Sequence, residues 1–302
     1  MYLDKVDVGA LFLNHSRKIM SDNFINKQNS ITTLNHLNNV QVMGILNVTP
    51  DSFSDGGKFS HFDSALKQVE LMIESGANII DIGGESTRPG AIDVSEEDEI
   101  SRVIPLLKAI KSRFDICVSI DTSKAVVMSE AITHNADMIN DVRALQNKGC
   151  LEVIAQSEVL ICLMHMKGLP RSMQENPQYA NIINDIINFF EQRIICCEQN
   201  GIKQDRLILD PGFGFGKTLK HNYQMLAQFA LFKKLRLPLL AGTSRKSMLG
   251  SLLNRDVDQR LAGSITTAML AVQQGANIIR VHDVAETVDA MKVLKAVAQN
   301  NV

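Results

Sequence analysis

The chain alternates short runs of β-branched and other apolar residues with longer segments in which apolar residues recur every three or four positions. The first pattern predicts buried strands and the second predicts amphipathic helices. From residue 40 onward there are eight apolar runs, at 42–46, 78–82, 116–120, 137–139, 159–163, 207–209, 237–241 and 277–281. Helical patterns lie between them, for example at 62–75, 95–112 and 179–199, and several end at a glycine such as Gly76, Gly201 or Gly275.

Eight strand–helix units within about 260 residues, at roughly 30 to 40 residues per unit, favour a closed parallel barrel. We therefore predict an α/β fold: a single-domain (β/α)8 TIM barrel over residues 40–302, with an N-terminal extension at 1–39. An open doubly wound sheet is the alternative. The extension has no motif and leaves two interpretations open: it is partly disordered, or an apolar cluster at 6–13 forms an element that caps the barrel bottom.

A short repeat occurs within these units. The pentapeptide Gly-Ala-Asn-Ile-Ile is found at 76–80 and again at 275–279, each time between a predicted helix and a predicted strand. A single match of this length is also compatible with chance.

Charge and cysteine content exclude several classes of protein. The formal net charge is -2 and no block of Lys and Arg occurs, which argues against nucleic acid or a membrane surface as a partner. The five cysteines form no C-x-x-C pair and have no histidines at zinc-ligand spacing, so we expect reduced, structural thiols and a cytoplasmic location. The N-terminus lacks the pattern of a signal peptide, and no apolar stretch reaches the roughly 18 to 20 residues of a membrane span.

Polar residues follow nearly every predicted strand. In a parallel barrel the carboxyl ends of the strands meet at one mouth, where active sites form. We therefore expect one rim to gather carboxylates, amides, cations and an imidazole from Asn47, Asp81, Glu85, Asp121, Asn140, Asp141, His165, Asp210, Ser244, Arg245, Lys246, Arg280 and His282. Asp121 and Asp210 follow apolar runs, where an unpaired charge is unfavourable, so each needs a hydrogen-bond partner.

The loops after the first two strands have compositions suited to binding. Residues 47–57 combine acidic and hydroxyl side chains with glycines, which suits a mobile lid over an active site. In 83–90, Arg88 lies beside Thr87 and between turn-forming residues, so it can present a guanidinium group to an anion.

Two later segments also indicate a ligand. Residues 210–218 look like a phosphate-binding P-loop, but Pro211 stands where that motif requires glycine. We expect its glycines to let the backbone approach a flat ligand instead. Residues 243–247 and 280–282 contribute three cations and an imidazole, which favour an anionic ligand, and Arg280 and His282 lie two apart on a strand and face the same side.

These segments, in this order, resemble the dihydropteroate synthase family across about residues 41–298. Five strings carry the resemblance: NVTPDSFSDGG, DIGGESTRPGA, LDPGFGFGKT, SRKSMLG and RVHDV. The resemblance implies a (β/α)8 fold, in agreement with the strand count. It also implies a transferase that condenses 6-hydroxymethyl-7,8-dihydropterin diphosphate with p-aminobenzoate, giving dihydropteroate and pyrophosphate in folate biosynthesis. Mg2+ would be the cofactor, and loss of pyrophosphate would be SN1-like.

The resemblance further implies roles for individual residues. The pterin would be held by Asp121, Asn140, Asp210 and Lys246, with apolar walls from Met164 and Phe215. The p-aminobenzoate would lie among Phe53, Thr87, Arg88, Pro89, Ser244 and Lys246. The diphosphate would be bound by Thr87, Arg280 and His282, and Mg2+ by Asn47. The residues implied in catalysis are Asp55, Arg88, Lys246, Arg280 and His282.

Two other functions stay open for a chain of this kind. One is a methyltetrahydrofolate-type pterin methyltransferase barrel, which would have no use for the STRPG and SRKS strings. The other is a non-catalytic pterin-binding paralogue. The expected partners are small-molecule substrates, with no nucleic acid and no membrane, and the resemblance implies a homodimer formed through the last helices of the barrel.

Overall fold

The computed structural model describes residues 40–48, 58–85, 93–168, 173 and 176–299 of the chain. Its central element is a sheet of eight parallel strands. In chain order these are β1 (Gln41–Asn47), β2 (Ile79–Gly83), β3 (Cys117–Asp121), β4 (Met138–Asp141), β5 (Leu160–Met164), β6 (Leu207–Asp210), β7 (Leu240–Ala241) and β8 (Ile278–Val281).

The strands form a barrel. Hydrogen-bonded neighbours run in the order β6-β5-β4-β3-β2-β1-β8-β7. A parallel bridge between Leu209 and Leu239 joins the two ends of this order, with Leu209 N donating to Pro238 O at 2.9 Å. These contacts confirm the predicted (β/α)8 barrel. The alternative prediction, an open doubly wound sheet, was wrong.

Helices alternate with the strands along the chain. They are α1 (Lys58–Glu74), α2 (Glu96–Arg113), α3 (Ala125–Thr133), α4 (Cys150–Ala155), α5 (Ile182–Gln199), α6 (Leu219–Ala227), α7 (Ser247–Leu253), α8 (Leu261–Gln273) and α9 (Val284–Ala298). Each apolar run of the sequence overlaps a strand. The largest difference is β7, which has two residues where the sequence predicted five, because Pro238 has no N–H to donate to a ladder.

The barrel separates two apolar cores. The outer core fills the space between the sheet and the helices. The inner core is a layer inside the barrel formed by Met43, Ile79, Met138, Leu160, Cys162, Ile208, Leu240 and Ile278. Because successive side chains of a strand alternate between the two faces, residues two positions further along each strand also point into the barrel, nearer its carboxyl end. Asp81, Asn140, Asp210 and Arg280 take these positions.

Asparagine side chains close the opposite end of the barrel. Asn78 Oδ1 accepts a hydrogen bond from Val42 N, and Asn277 Oδ1 accepts one from Leu239 N, both at 2.9 Å. These are the asparagines of the two Gly-Ala-Asn-Ile-Ile copies. Asp137, which precedes β4, likewise accepts a hydrogen bond from Val118 N on β3. The repeat therefore reflects a shared structural role: the residue before a strand satisfies a backbone N–H of the neighbouring strand.

All five cysteines are free thiols. Burial raises the pKa of Cys150 to about 12 and that of Cys197 to about 11, which keeps these thiols protonated and unreactive. Among the residues that the structure describes, none of the helices is both long enough and apolar enough to cross a bilayer.

Asn78→Ala tests the closing role of the asparagine. The variant leaves the N–H of Val42, a residue only 3% exposed, without its acceptor, and should lower the free energy of unfolding by about 1–2 kcal/mol. Asn78→Asp keeps an acceptor oxygen and is the matched control. Urea unfolding is the measurement, and equal midpoints for the two variants would contradict the role.

Candidate active site

A buried ion-pair cluster lies inside the barrel above the apolar layer. Arg280, on β8, donates from Nε to Asp81 Oδ2 at 2.6 Å and from Nη2 to Asp121 Oδ2 at 2.7 Å. Asn140, on β4, donates from Nδ2 to the same Asp81 oxygen at 3.2 Å. Strands β2, β3, β4 and β8 thus bring together residues that lie up to 199 positions apart in the chain.

The electrostatics of this cluster differ between its two carboxylates. Burial raises the pKa of Asp121 to about 7, with Arg280 acting to lower it and Asp81 acting to raise it. Burial opposes the charge of Arg280, but Asp81 and Asp121 outweigh it and raise the pKa of the guanidinium, which stays charged. The Asp81 side chain is 0% exposed, whereas that of Asp121 is 11% exposed. Asp121 is therefore the carboxylate nearer the mouth, and it titrates near neutral pH.

A second pair of charges, Asp210 and Lys246, shares this cavity. Asp210 Oδ1 accepts a hydrogen bond from Gly212 N at 2.7 Å, and burial raises the pKa of Asp210. Burial lowers the pKa of Lys246 to about 8, although Asp210 opposes the change. The charges of Arg280 and Asp121 also act on Lys246. The predicted pterin-binding residues of β3, β6 and the segment after β7 therefore converge, as the sequence indicated.

Phe215 lies against the ammonium group of Lys246. The Lys246 Nζ is 4.7 Å from the centroid of the Phe215 ring, which is a cation–π contact, and it donates to Phe213 O. Met164 ends β5 and is 3% exposed. Its Cγ would be 3.3 Å from a Cβ placed on Gly212, so Met164 packs under the same loop.

The glycines of this loop serve backbone packing. A Cβ on Gly212, whose φ is +73°, would overlap the carbonyl oxygen of His165. One on Gly216, whose φ is +65°, would overlap that of Lys167. The expectation that these glycines admit a flat ligand is corrected at both positions, because the groups that approach them belong to the chain after β5.

Lys217 is a buried lysine in this loop that the sequence motifs did not identify as functional. Its Nζ donates to His165 O at 3.2 Å and to Phe215 O at 3.0 Å, and it lies 3.0 Å from His165 Nδ1. Burial lowers the pKa of Lys217 well below its usual value, so the charged form of the amine is disfavoured. Burial also lowers the pKa of His165 to about 2, with Lys217 acting in the same direction, so the imidazole is neutral. The only sign of this role in the sequence was that Lys217 is a lone lysine in the glycine-rich segment 210–218.

His282 and Ser244 form the rim next to Arg280. Ser244 Oγ lies 3.0 Å from His282 Nδ1, and His282 N donates to Ser244 Oγ at 3.2 Å. Arg245 forms an ion pair with Asp283 instead, with Nε 3.1 Å from Oδ2. The expected group of three cations is therefore corrected to two, because Asp283 neutralises Arg245.

An ion-pair cluster beside the end of β2 was also missed. Lys124 Nζ donates to Glu85 Oε2 at 2.5 Å and to Glu99 Oε2. Glu85 Oε1 accepts from Val94 N at 3.3 Å, so one carboxylate links the chain on both sides of residues 86–92. Glu99 lies in the first turn of α2, where an acidic residue ordinarily indicates a solvated helix start, yet it is 0% exposed.

The remaining predicted residues divide into two groups. Asn47 ends β1, is half-buried and pairs in register with Gly83. Its Oδ1 would be 3.7 Å from a Cβ on Gly83, close to Asp121 on the next strand. Those outside the described residues are Phe53, Asp55, Thr87, Arg88 and Pro89.

A magnesium ion at Asn47 would have few protein ligands. Within the described ranges there is no group of three or more His, Cys, Asp or Glu residues that could hold a metal. Asn47 supplies an uncharged oxygen, and Mg2+ commonly takes only one or two protein ligands while it keeps waters and substrate phosphates.

Comparison with known proteins identifies the family. The model of the pterin binding enzyme family matches residues 43–282. The dihydropteroate synthase of Haemophilus influenzae is 54% identical over 258 residues, covering 85% of this chain and 94% of the relative. That of Escherichia coli is 54% identical over 260 residues, covering 86% and 92%. The chain belongs to the dihydropteroate synthase family. It is therefore a transferase, and the resemblance drawn from the five strings is confirmed.

Solved dihydropteroate synthases share the fold. The enzyme of Xanthomonas albilineans with 4-aminobenzoic acid has a TM-score of 0.82 and 45% identity, covering 87% of this chain and 94% of that one. A complex from the same organism with 7,8-dihydropteroate has a TM-score of 0.79 and 42% identity, covering 87% and 95%.

Lys124→Met tests the ion-pair cluster beside β2. Removal of the shared cation leaves buried Glu99 uncompensated, so the free energy of unfolding should fall by about 3 kcal/mol. Adding Glu99→Gln to this variant should restore part of the loss. Lys292→Met removes an ion pair of two exposed side chains and should leave the urea midpoint nearly unchanged. Equal midpoints for Lys124→Met and Lys292→Met would refute the assignment.

Proposed function

We propose that the chain is a dihydropteroate synthase that joins 6-hydroxymethyl-7,8-dihydropterin diphosphate to p-aminobenzoate and releases pyrophosphate. The observation that carries this proposal is the convergence of Asp121, Asn140, Asp210, Lys246 and Arg280 on one cavity, in a chain of this family. The complexes of related enzymes with 4-aminobenzoic acid and with 7,8-dihydropteroate support the substrate and the product.

The buried acceptors suit a pterin. The amino and ring N–H groups of a pterin are donors, and carboxylate and amide oxygens are their acceptors. In the described part of the chain, Asp121 and Asp210 each use one oxygen in the hydrogen bonds given above, and the other oxygen of each is proposed to accept from the ligand. Lys246 can donate to a pterin acceptor, and the Phe215 ring beside it forms an apolar wall.

The cations suit the diphosphate. Among the described residues, Arg280 uses Nε and Nη2 for its two carboxylates, and its Nη1 protons are proposed to bind an anion. His282, whose Nδ1 lies 3.0 Å from Ser244 Oγ, is proposed to bind the same group. Thr87 and Arg88 are proposed to add to this site. When bound at Asn47, Mg2+ would offset part of the diphosphate charge.

The proposed reaction is dissociative. The bond between the pterin methylene carbon and the diphosphate oxygen breaks, and its electron pair leaves with pyrophosphate. The nitrogen of p-aminobenzoate then forms the new bond to carbon and loses a proton to solvent. No protein nucleophile is needed, because catalysis consists of positioning and of electrostatic stabilisation. The carboxylates of Asp121 and Asp210, with Asp55, offset the positive charge on the pterin.

The p-aminobenzoate subsite is proposed at the rim. Ser244 and Lys246 would contribute from the segment after β7. The other members of this proposed subsite are Phe53, Thr87, Arg88 and Pro89.

The direct test uses the purified chain with both substrates and Mg2+. Pyrophosphate and dihydropteroate should appear in equal amounts, measured by a coupled phosphate assay and by chromatography. A methyltetrahydrofolate-type methyltransferase would release no pyrophosphate, and a non-catalytic paralogue would bind the pterin diphosphate and return it unchanged. Either result would reject the proposal.

The raised pKa of Asp121 leads us to expect that pterin binding depends on pH. Its pKa of about 7 means that the ionised acceptor is present above that pH and is lost as the pH falls through it. Affinity for 6-hydroxymethyl-7,8-dihydropterin, which lacks the diphosphate and its ionisation, should therefore decline below about pH 7 in calorimetric titrations. Asp121→Asn should bind more weakly at pH 8 and lose this dependence. If the affinity of Asp121→Asn still declined below about pH 7 as in the wild type, Asp121 would not be the titrating group.

A homodimer through the last helices is also proposed. Exposed apolar side chains occur on α7, α8 and α9, at Leu252, Leu270 and Val293, which are 59%, 42% and 59% exposed. Sedimentation equilibrium should give twice the mass of one chain, and Leu270→Glu should shift the protein to the monomer. Leu71→Glu, on α1 and 54% exposed in the wild type, is the matched control and should remain dimeric.

A further inference from the structure

One carboxylate oxygen inside the barrel holds two residues of the proposed site. Asp81 Oδ2 accepts from Arg280 Nε at 2.6 Å and from Asn140 Nδ2 at 3.2 Å. Asp81 lies in the middle of β2, and its side chain is 0% exposed. The sequence analysis expected it at the rim, as the first residue of the string DIGGESTRPGA, but assigned it no role.

We infer that Asp81 is a positioning residue, which fixes Arg280 for the diphosphate and Asn140 for the pterin without touching either substrate group. The inference rests on the proposed function for the roles of those two residues. The inference is based on how deep each side chain lies in the barrel. The side chains of Arg280 and Asp121 are 20% and 11% exposed, whereas that of Asp81 lies beneath both.

The two carboxylates on Arg280 have different tasks. The guanidinium is planar and its donors form a rigid fork, so a bond at Nε fixes the plane in which the Nη groups lie. Asp81 supplies that bond from inside the barrel. Asp121 binds Nη2 from the mouth side, where a ligand can compete for it. Asp81 is thus the permanent partner of Arg280, and Asp121 is the exchangeable one.

Burial of a carboxylate at this position is unfavourable in one respect. Within the part of the chain that the structure describes, Asp81 Oδ1 has no hydrogen-bond partner, and neither has Ser119 Oγ, its register neighbour on β3. A buried oxygen without a partner is unfavourable, and a buried charge is more so. An asparagine would offer the same oxygen to Arg280 and Asn140 with less desolvation. The charge of Asp81 therefore serves the ion pair with Arg280, which it holds at Nε.

Asp81→Asn is the test variant. It should keep the thermal midpoint within a few degrees of wild type, because Asp121 still neutralises Arg280. With both substrates and Mg2+, kcat should fall by about tenfold to a hundredfold, a loss comparable to removal of one preorganised transition-state contact. The KM for p-aminobenzoate should change less than about twofold. Calorimetry should also show weaker binding of inorganic pyrophosphate.

The pH profile separates positioning from general structural support. The charge of Asp81 acts to raise the pKa of Asp121, so its removal lowers that pKa and extends activity to lower pH. The other charged groups acting on Asp121 come from the elements around it and remain in the variant: Arg280 on β8, Glu99 on α2, Asp141 on β4 and Lys246 after β7. The shift of the acid limb reports the loss of the Asp81 charge, and a lower kcat at the pH optimum reports the loss of positioning.

Ser119→Ala is the matched control. It alters the same barrel layer on the neighbouring strand and removes only a hydroxyl group that has no partner among the described residues. Its kcat and its pH profile should match those of the wild type. Asp81→Ser is a second test variant, because it removes the charge without adding an amide N–H to the barrel interior, and it should reproduce the loss of kcat.

The outcomes distinguish this inference from the proposed function. If the wild type forms product and Asp81→Asn has the same kcat and acid limb, the inference is overturned and the proposed function stands. If the wild type forms no product, the proposed function fails, and pyrophosphate binding decides: equal affinities overturn the inference and a weaker variant supports it. Loss of the fold in both Asp81 variants would make the residue structural and would also overturn it.

Discussion

The ion pairs of Arg280 inside the barrel constrain the rest of the site. A guanidinium in the barrel interior must be neutralised where it lies, and Asp81 and Asp121 do this from β2 and β3. A slip of one residue in any of these strands would turn the charged side chain to the outer face, against the helices. The same register that pairs the charges also keeps the apolar layer continuous below them. The barrel interior is therefore divided into an apolar lower part and a charged upper part.

The fold could be predicted from the sequence because its signals are local. Apolar runs and helical periodicity are properties of neighbouring residues, and all eight runs overlap a strand. The position of most site residues was also predictable, since a polar residue after a strand must lie at the carboxyl end of a parallel barrel. The repeat at Asn78 and Asn277, which chance could have produced, follows from a backbone N–H that each asparagine satisfies.

Partners across the barrel could not be predicted in this way. Asp81 was expected at the rim, but nothing near it in the sequence indicates its partner, and Lys124 begins a helix like an ordinary surface cation. Their roles depend on residues 199 and 39 positions away. The prediction that Arg245 contributes to the anion site was wrong for the same reason. Its neighbour in sequence is Lys246, but its partner in space is Asp283. Adjacency in sequence places two residues at the same rim without deciding which way each side chain points.

The cavity holds two groups whose pKa values approach neutrality from opposite sides. Asp121 is ionised above a pKa of about 7, and Lys246 is charged below a pKa of about 8. Burial accounts for both values, since it disfavours the charged form of an acid and of a base alike. In the proposed site, the ionised Asp121 would accept from the pterin donors and the charged Lys246 would donate to a pterin acceptor. The same burial that organises the site therefore makes the charge of both groups sensitive to pH near neutrality.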